Sequence, residues 1–155
     1  MGSTRWAQWG LGLLTAITAL GVFWPGLTGG FIFDDFGTIV DNQRVHAATL
    51  TWQDIWRAAR SFDPGGTFGA RPLSMASFAF NHAIGGLDPW GYKLTGLIIH
   101  LLNCGLVYSL SRMIIKTIEV GGKRWSALAP FAIALAWGVH PMQVSSVLYV
   151  VQRME

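Results

Sequence analysis

Asp34 and Asp35 stand side by side in "FIFDDFGTIVDN", flanked by phenylalanines. Adjacent carboxylates in a partly apolar setting repel, and the apparent pKa of one of them rises. Such a pair suits a general base or the ligation of a divalent cation; the plain alternative is an acidic turn that ends a span. Arg71, in "ARPLS", offers a guanidinium with two parallel donors that match phosphate oxygens. A salt bridge to a loop aspartate is its other reading. His140 precedes Pro141 at a helix end, as a site residue or as an interfacial histidine. Gln152-Arg153 suit a second phosphate contact or headgroup anchoring. His100 and Asn103 fall inside an apolar run, where hydrogen bonding between helices is the expected role. His46 and His82 have no metal-ligand spacing with anything near them in sequence, so no metal site is assigned.

These residues sit in a chain of 155, of which 52% are hydrophobic and 12% charged. A soluble domain carries about 25% charged residues, so the composition is that of a membrane protein and excludes an ordinary small soluble enzyme. The formal net charge of +3 comes without a basic tract, so no nucleic-acid partner is expected. The single cysteine, Cys104, rules out an internal disulfide. Six of the eight acids (Asp34, Asp35, Asp41, Asp54, Asp63 and Asp88) fall between positions 34 and 88, whereas Arg112, Lys116, Lys123 and Arg124 crowd one short connection.

The fold expected is an all-α integral membrane protein with about three transmembrane helices and interfacial helices in a long first external loop. Residues 6–24 form an uncharged run flanked by Trp6, Trp9, Phe23 and Trp24, long enough at about 1.5 Å per residue to cross a hydrocarbon core of about 30 Å. It exceeds a signal peptide's apolar region, and no A-x-A-like cleavage site follows. The second span covers about 94–115, entered through Asp88-Pro89 as N-cap and first helical residue. The third covers about 126–139 and is short; residues 142–151 then form a surface helix or a kinked continuation. The positive-inside rule puts Arg5 and the 112–124 cluster in the cytoplasm, and the 25–93 loop and His140 outside.

That loop is patterned. Thr51 as N-cap, Asp54 three positions into the helix and a Leu50–Ile55 staple start a helix over about 52–60. Trp52, Ile55, Trp56 and Ala59 recur on one of its faces, set against arginines. A second helix over about 73–84 is apolar nearly all round and stops at Gly85-Gly86. Between them lies the glycine-rich "DPGGTFGARP". The residue before a proline is pushed to extended backbone, which is the expectation for Arg71.

"FIFDDFGTIVDN", "ARPLSMASFAFNHAIGGLDPWGYKLTGLIIHLLN" and "GVHPMQVSSVLYVVQRM", in that order, resemble the N-terminal part of a membrane glycosyltransferase family. This is the C-type superfamily that uses polyprenyl-phosphate sugars. It includes bacterial membrane proteins with tetratricopeptide-repeat tails and the eukaryotic transmembrane-and-tetratricopeptide O-mannosyltransferases. The resemblance runs from about residue 7 to the terminus. It implies an essential aspartate in the first external loop, at Asp34-Asp35, with Arg71 and His140 at matching landmarks. Gln143, Ser145 and Ser146 stand where eukaryotic relatives often carry an acid. Family members have about ten or more spans, so this chain is expected to be a fragment that is inactive alone.

The function expected is sugar transfer from a polyprenyl-phosphate donor to a hydroxyl of an exported acceptor protein. Asp34 or Asp35 would be the base, with Arg71, His140 and Arg153 around the lipid phosphate. The partners would be the bilayer, the lipid-linked sugar and the acceptor, and the location a bacterial inner membrane with the N-terminus cytoplasmic. The cofactor is left unknown, a divalent cation being the candidate. A three-span scaffold without catalysis is the alternative from another class, and a transporter fragment lined by His100 and Asn103 is the third.

Overall fold

The computed structural model describes residues 2–62, 71–118 and 122–154. The glycine-rich turn over 63–70 and the connection over 119–121 lie outside the described residues, as do the side chains of Trp6 and Trp9. Most of the described residues are helical, and none of them forms a strand. The α-helices are α1 (Gly2–Phe23), α2 (Trp52–Ala59), α3 (Pro72–Gly85), α4 (Pro89–Thr117), α5 (Lys123–Gly138) and α6 (Gln143–Leu148). Short 3-10 turns cover Trp24–Thr28, Gln43–Val45 and Val150–Met154, and a π-turn covers Phe36–Val40. Two stretches are long and apolar enough to cross a membrane, Gly10–Thr28 and Pro89–Thr117, and Trp125–Gly138 is a shorter apolar helix. The described residues are therefore all-helical in their regular structure, with the lengths and composition of a membrane chain.

The chain divides into two compact units. The first comprises Met1–Pro25 and Leu97–Val144. His100 sits at its centre: Nε2–H donates to the Gly138 carbonyl at 2.8 Å. The ring lies edge-on to Phe23 at 5.2 Å and stacks on Trp137 at 5.1 Å. One buried polar side chain thus ties α1, α4 and α5 together, where an unsatisfied donor in hydrocarbon would cost several kcal/mol. Asn103, three residues on, is exposed. Gly138 lets α5 approach α4, since a Cβ there would come within 2.8 Å of Cys104 Sγ. Leu13, Leu14, Ile17, Leu102, Leu106, Leu110 and Met113 are all at least half exposed, an outward dressing that suits lipid rather than water.

The second unit comprises Gly26–Gly96 and Ser145–Glu155. Its core joins Ile39, Val45, Ala58, Met75, Phe78, Ala79, Tyr92 and Val150. At the head of α2 the Thr51 hydroxyl accepts from the Asp54 N–H at 3.2 Å, a side-chain N-cap. Asp54 departs from the expected reciprocal arrangement. Its Oδ2 accepts from the hydroxyls of Thr49 and Thr51, both at 2.9 Å. Those two hydroxyls, Thr49 first, hold its carboxyl below the usual range, so its support of the folded state is present above the ordinary carboxylate pKa and fades on acidification. Thr51→Ala is expected to destabilise α2 by about 1 kcal/mol, read as faster amide exchange over Trp52–Ile55. Ala58 and Ala59 are buried, while Trp52 and Trp56 stack at 5.6 Å and stay exposed. In α3 the residues Met75, Phe78, Ala79 and Asn81 are buried, but Leu73 and Ile84 point outward, so the helix is half-buried rather than enclosed.

At the start of α4, Asp88 Oδ1 accepts from the Trp90 N–H at 3.0 Å, with Pro89 as the first helical residue. His46 and His82, unremarkable in sequence, stack at 4.5 Å and 5°. Each donates one ring N–H to a carbonyl, His46 to Ile39 and His82 to Ala47, which fixes the Ile39–Ala47 segment on α3.

Candidate functional site

The site residues legible in sequence divide between the units. Asp34, Asp35, Arg71 and Arg153 belong to the second, and His140 to the first. His140 is exposed past the end of α5, and its Nδ1 accepts from the Met142 N–H at 3.3 Å.

Within the second unit a cleft of about 430 Å³ opens against Phe33, Asp34, Gly37, Phe62, Arg71 and Gln152. The twin acids do different jobs around it. Asp35 is fully buried. Its Oδ1 accepts from the Val151 N–H at 2.7 Å and its Oδ2 from the Ile32 N–H at 3.1 Å. Burial pushes its carboxyl up, against the pull of the Ile32, Val151 and Val150 amides and the Lys93 charge. Asp34 is exposed and lines the cleft. Its own N–H donates to the Tyr149 hydroxyl at 3.1 Å, and its carboxylate has no hydrogen-bond partner among the described residues. The chain enters this pair through Phe33, whose φ of 44° is left-handed. Phe33 is edge-on to Tyr149 at 6.4 Å.

Arg71 reaches the cleft from the N-cap of α3, with its guanidinium carbon 5.5 Å from the Phe62 ring centre. Its backbone, φ 117° and ψ 40°, is left-handed rather than extended. The turn into α3 outweighs the local preference before proline. Among the described residues, Phe33 and Arg71 are the non-glycine residues at positive φ, and both line the cleft. Each such backbone costs about 1–3 kcal/mol, which the surrounding packing must sustain.

Arg153 was expected near a lipid phosphate, and that reading is not carried forward. Its Nη1 donates to Ser77 Oγ at 2.9 Å and to Asn81 Oδ1 at 2.8 Å, and its Nη2 donates to the Tyr92 carbonyl at 2.6 Å. The guanidinium lies 4.8 Å over the Phe78 ring, and burial pulls its pKa down to about 10. Ser74 Oγ in turn donates to the Arg153 carbonyl at 3.2 Å. Arg153 therefore clamps the Val150–Met154 turn onto α3 and the start of α4, and that turn delivers Val151 to Asp35 and Gln152 to the cleft.

Four contributors escaped the sequence. Tyr149 holds the Asp34 backbone from 115 positions away, with no local signature. Phe33 and Phe62, given no role in the sequence analysis, line the cleft. Lys93 is buried, and its ammonium donates to the Gly26 carbonyl at 3.5 Å.

Among the described residues no three His, Cys, Asp or Glu side chains come together to hold a metal. The cleft presents one carboxylate beside a guanidinium, because Asp35 is turned inward on two amide donors. A hard divalent cation wants several oxygen ligands, and this donor set does not fit one.

Human protein O-mannosyl-transferase TMTC2 is 30% identical to the chain over 145 residues, covering 91% of the chain and 16% of that relative. The chain is a homologue of the protein O-mannosyl-transferases. TMTC3 of Mus musculus is 30% identical over 137 residues, 86% of the chain and 14% of that transferase. Tmtc2 of Drosophila melanogaster is 32% identical over 128 residues, 79% of the chain and 13% of its own length. The chain thus spans 13–16% of the length of these curated transferases. No family model matches it, and no solved structure matches it.

Proposed function

We propose that this chain is the N-terminal, site-bearing portion of a membrane O-glycosyltransferase acting on an exported protein. The sugar comes from a polyprenyl-phosphate donor. Asp34 accepts the proton of the acceptor hydroxyl as that oxygen attacks the anomeric carbon. One displacement without a covalent intermediate inverts the centre. Arg71 faces the departing phosphate, where negative charge develops. The observation that carries this reading is one cleft with an uncommitted carboxylate and a guanidinium on its walls, in a chain homologous to protein O-mannosyl-transferases. Two strained backbones aim residues into that cleft, which supports a functional over a merely structural surface. The location that goes with the reading is a bacterial inner membrane with a cytoplasmic N-terminus; the basic residues from Arg112 to Arg124 support that side assignment.

The experiment is transfer of labelled sugar from the lipid-linked donor to an acceptor peptide, using a full-length protein that carries this segment. Arg71→Ala is expected to lower kcat by about a hundred- to a thousandfold, the cost of removing a donor aimed at developing charge. Arg71→Lys should restore part of it, since one ammonium replaces a forked donor. Unchanged turnover in Arg71→Ala would remove the phosphate from this cleft.

A further inference from the structure

The first unit contains a groove that the transfer reading does not use. It has a volume of about 580 Å³ and runs between α1, α4 and α5. Gly12, Thr15, Leu101, Gly105 and Phe131 make its walls apolar, and Thr15 spends its hydroxyl on the Leu11 carbonyl at 3.1 Å. One end differs. Tyr108 and Arg112, one helical turn apart on α4, both line the groove. The Tyr108 ring packs on Phe131 at 4.3 Å, which holds it in place. Among the described residues neither the Tyr108 hydroxyl nor the Arg112 guanidinium has a hydrogen-bond or ion-pair partner. The two segments of this unit hold five basic residues (Arg5, Arg112, Lys116, Lys123 and Arg124) against one acid, Glu119. The unit cannot neutralise its own cations.

From Leu101 to Arg112 the groove follows α4 for about 16 Å at 1.5 Å per residue. That is about half of a 30 Å hydrocarbon core, the depth of one leaflet. Arg112 lies five residues before the end of α4 at Thr117, which is headgroup level for a helix that emerges there. An ionisable side chain at such a place pairs with something, and basic pockets between spanning helices take lipid headgroups.

We infer that this groove binds one anionic phospholipid, with an acyl chain along Gly12, Gly105 and Phe131 and its phosphate on Arg112 and the Tyr108 hydroxyl. The shape supplies a slot for one hydrocarbon chain. The charge supplies the preference for an anion. This site stands apart from the cleft of the second unit and does not depend on the sugar-transfer reading.

The test is native mass spectrometry of the purified 155-residue chain in detergent, with phosphatidylglycerol and phosphatidylcholine supplied in equal amounts. Wild type should carry one phosphatidylglycerol, preferred by about tenfold, the size expected of one charge-assisted contact. Arg112→Gln should lose that preference, while Lys116→Gln, at an exposed position on α4, should keep it. Gly105→Phe should empty the groove: Gly105 lines it, and a Cβ built there meets no neighbouring element within 4 Å, so the new side chain starts into open space. Circular dichroism should show native helix content in each variant. Equal retention of both lipids by wild type, full retention in Arg112→Gln or Gly105→Phe, or an equal loss in Lys116→Gln overturns the site. Outright displacement of phosphatidylglycerol by an equal amount of polyprenyl phosphate overturns the lipid class.

Discussion

Asp34→Asn, in a full-length protein carrying this segment, is expected to cut sugar transfer by about a hundred- to ten-thousandfold, the range for loss of a general base. The fold should not notice. Asp34 is exposed, its carboxylate holds nothing among the described residues, and its backbone contact to Tyr149 is unaffected by the side-chain change. Surface substitutions of this kind shift stability by less than about 0.5 kcal/mol. The neighbouring change behaves in the opposite way. Asp35→Asn keeps an acceptor for one of the amides of Val151 and Ile32 but turns an NH2 group toward the other. Loss of one buried hydrogen bond, with a donor facing a donor, costs about 1–3 kcal/mol. Thermal unfolding in detergent separates the two variants before any activity is measured. A pH series separates them again. Burial holds the Asp35 carboxyl above its ordinary pKa, so the folded state keeps a proton that the unfolded chain has already lost. Stability contributed by this group therefore falls as pH rises from the ordinary carboxylate pKa through the raised one, and that slope vanishes in Asp35→Asn. If the two variants exchange behaviours, Asp35 is the base and the geometry has been misread.

Arg153→Met is expected to lower the unfolding free energy by about 1–3 kcal/mol, the cost of leaving a buried acceptor without its donor. The substitution fills much of the side chain's volume but deletes three donated hydrogen bonds, to Ser77, Asn81 and the Tyr92 carbonyl. Asn81 is buried and would keep its Nδ2 contacts to Thr95 and Gly91 while its Oδ1 goes unsatisfied. Arg153→Lys should recover little, because one ammonium cannot reach acceptors on both sides of a planar fork. The readout is the unfolding midpoint in detergent, together with protease sensitivity of the Val150–Met154 turn. A stability within about 1 kcal/mol of wild type would mean the clamp is redundant, since typical single hydrogen bonds contribute that much.

What the sequence revealed followed distance along the chain. The Thr51 cap and the Asp88-Pro89 helix start rest on neighbours within one turn, where capping chemistry leaves a readable trace; His100 was legible because a polar side chain inside an apolar run must find a partner, here 38 residues away. The cleft was half legible. Asp34 and Arg71 stood out because acids and arginines are rare in so apolar a chain. The division of labour between Asp34 and Asp35 was hidden, because it depends on a backbone amide 116 residues away. Arg153 looked like a phosphate ligand for the same reason: a cation near a terminus has no local feature that says its two Nη atoms already donate to Ser77, Asn81 and Tyr92, with its Nε buried and unpartnered among the described residues. The His46–His82 stack was dismissed on spacing, and helix α3 then set the rings face to face.

The span of 116 residues between Asp35 and its acceptor's donor also sets a clock for biosynthesis. At roughly 5–20 residues per second, a ribosome needs about 6–23 s to deliver Val151 after Asp35 has been made. During that interval the Asp35 carboxyl keeps its water, and the segment around it is a stretch of polar and aromatic residues awaiting its last stitch. A ribosome stalled within that window would leave the twin acids chemically alike, open to whatever chaperone or protease patrols the membrane surface.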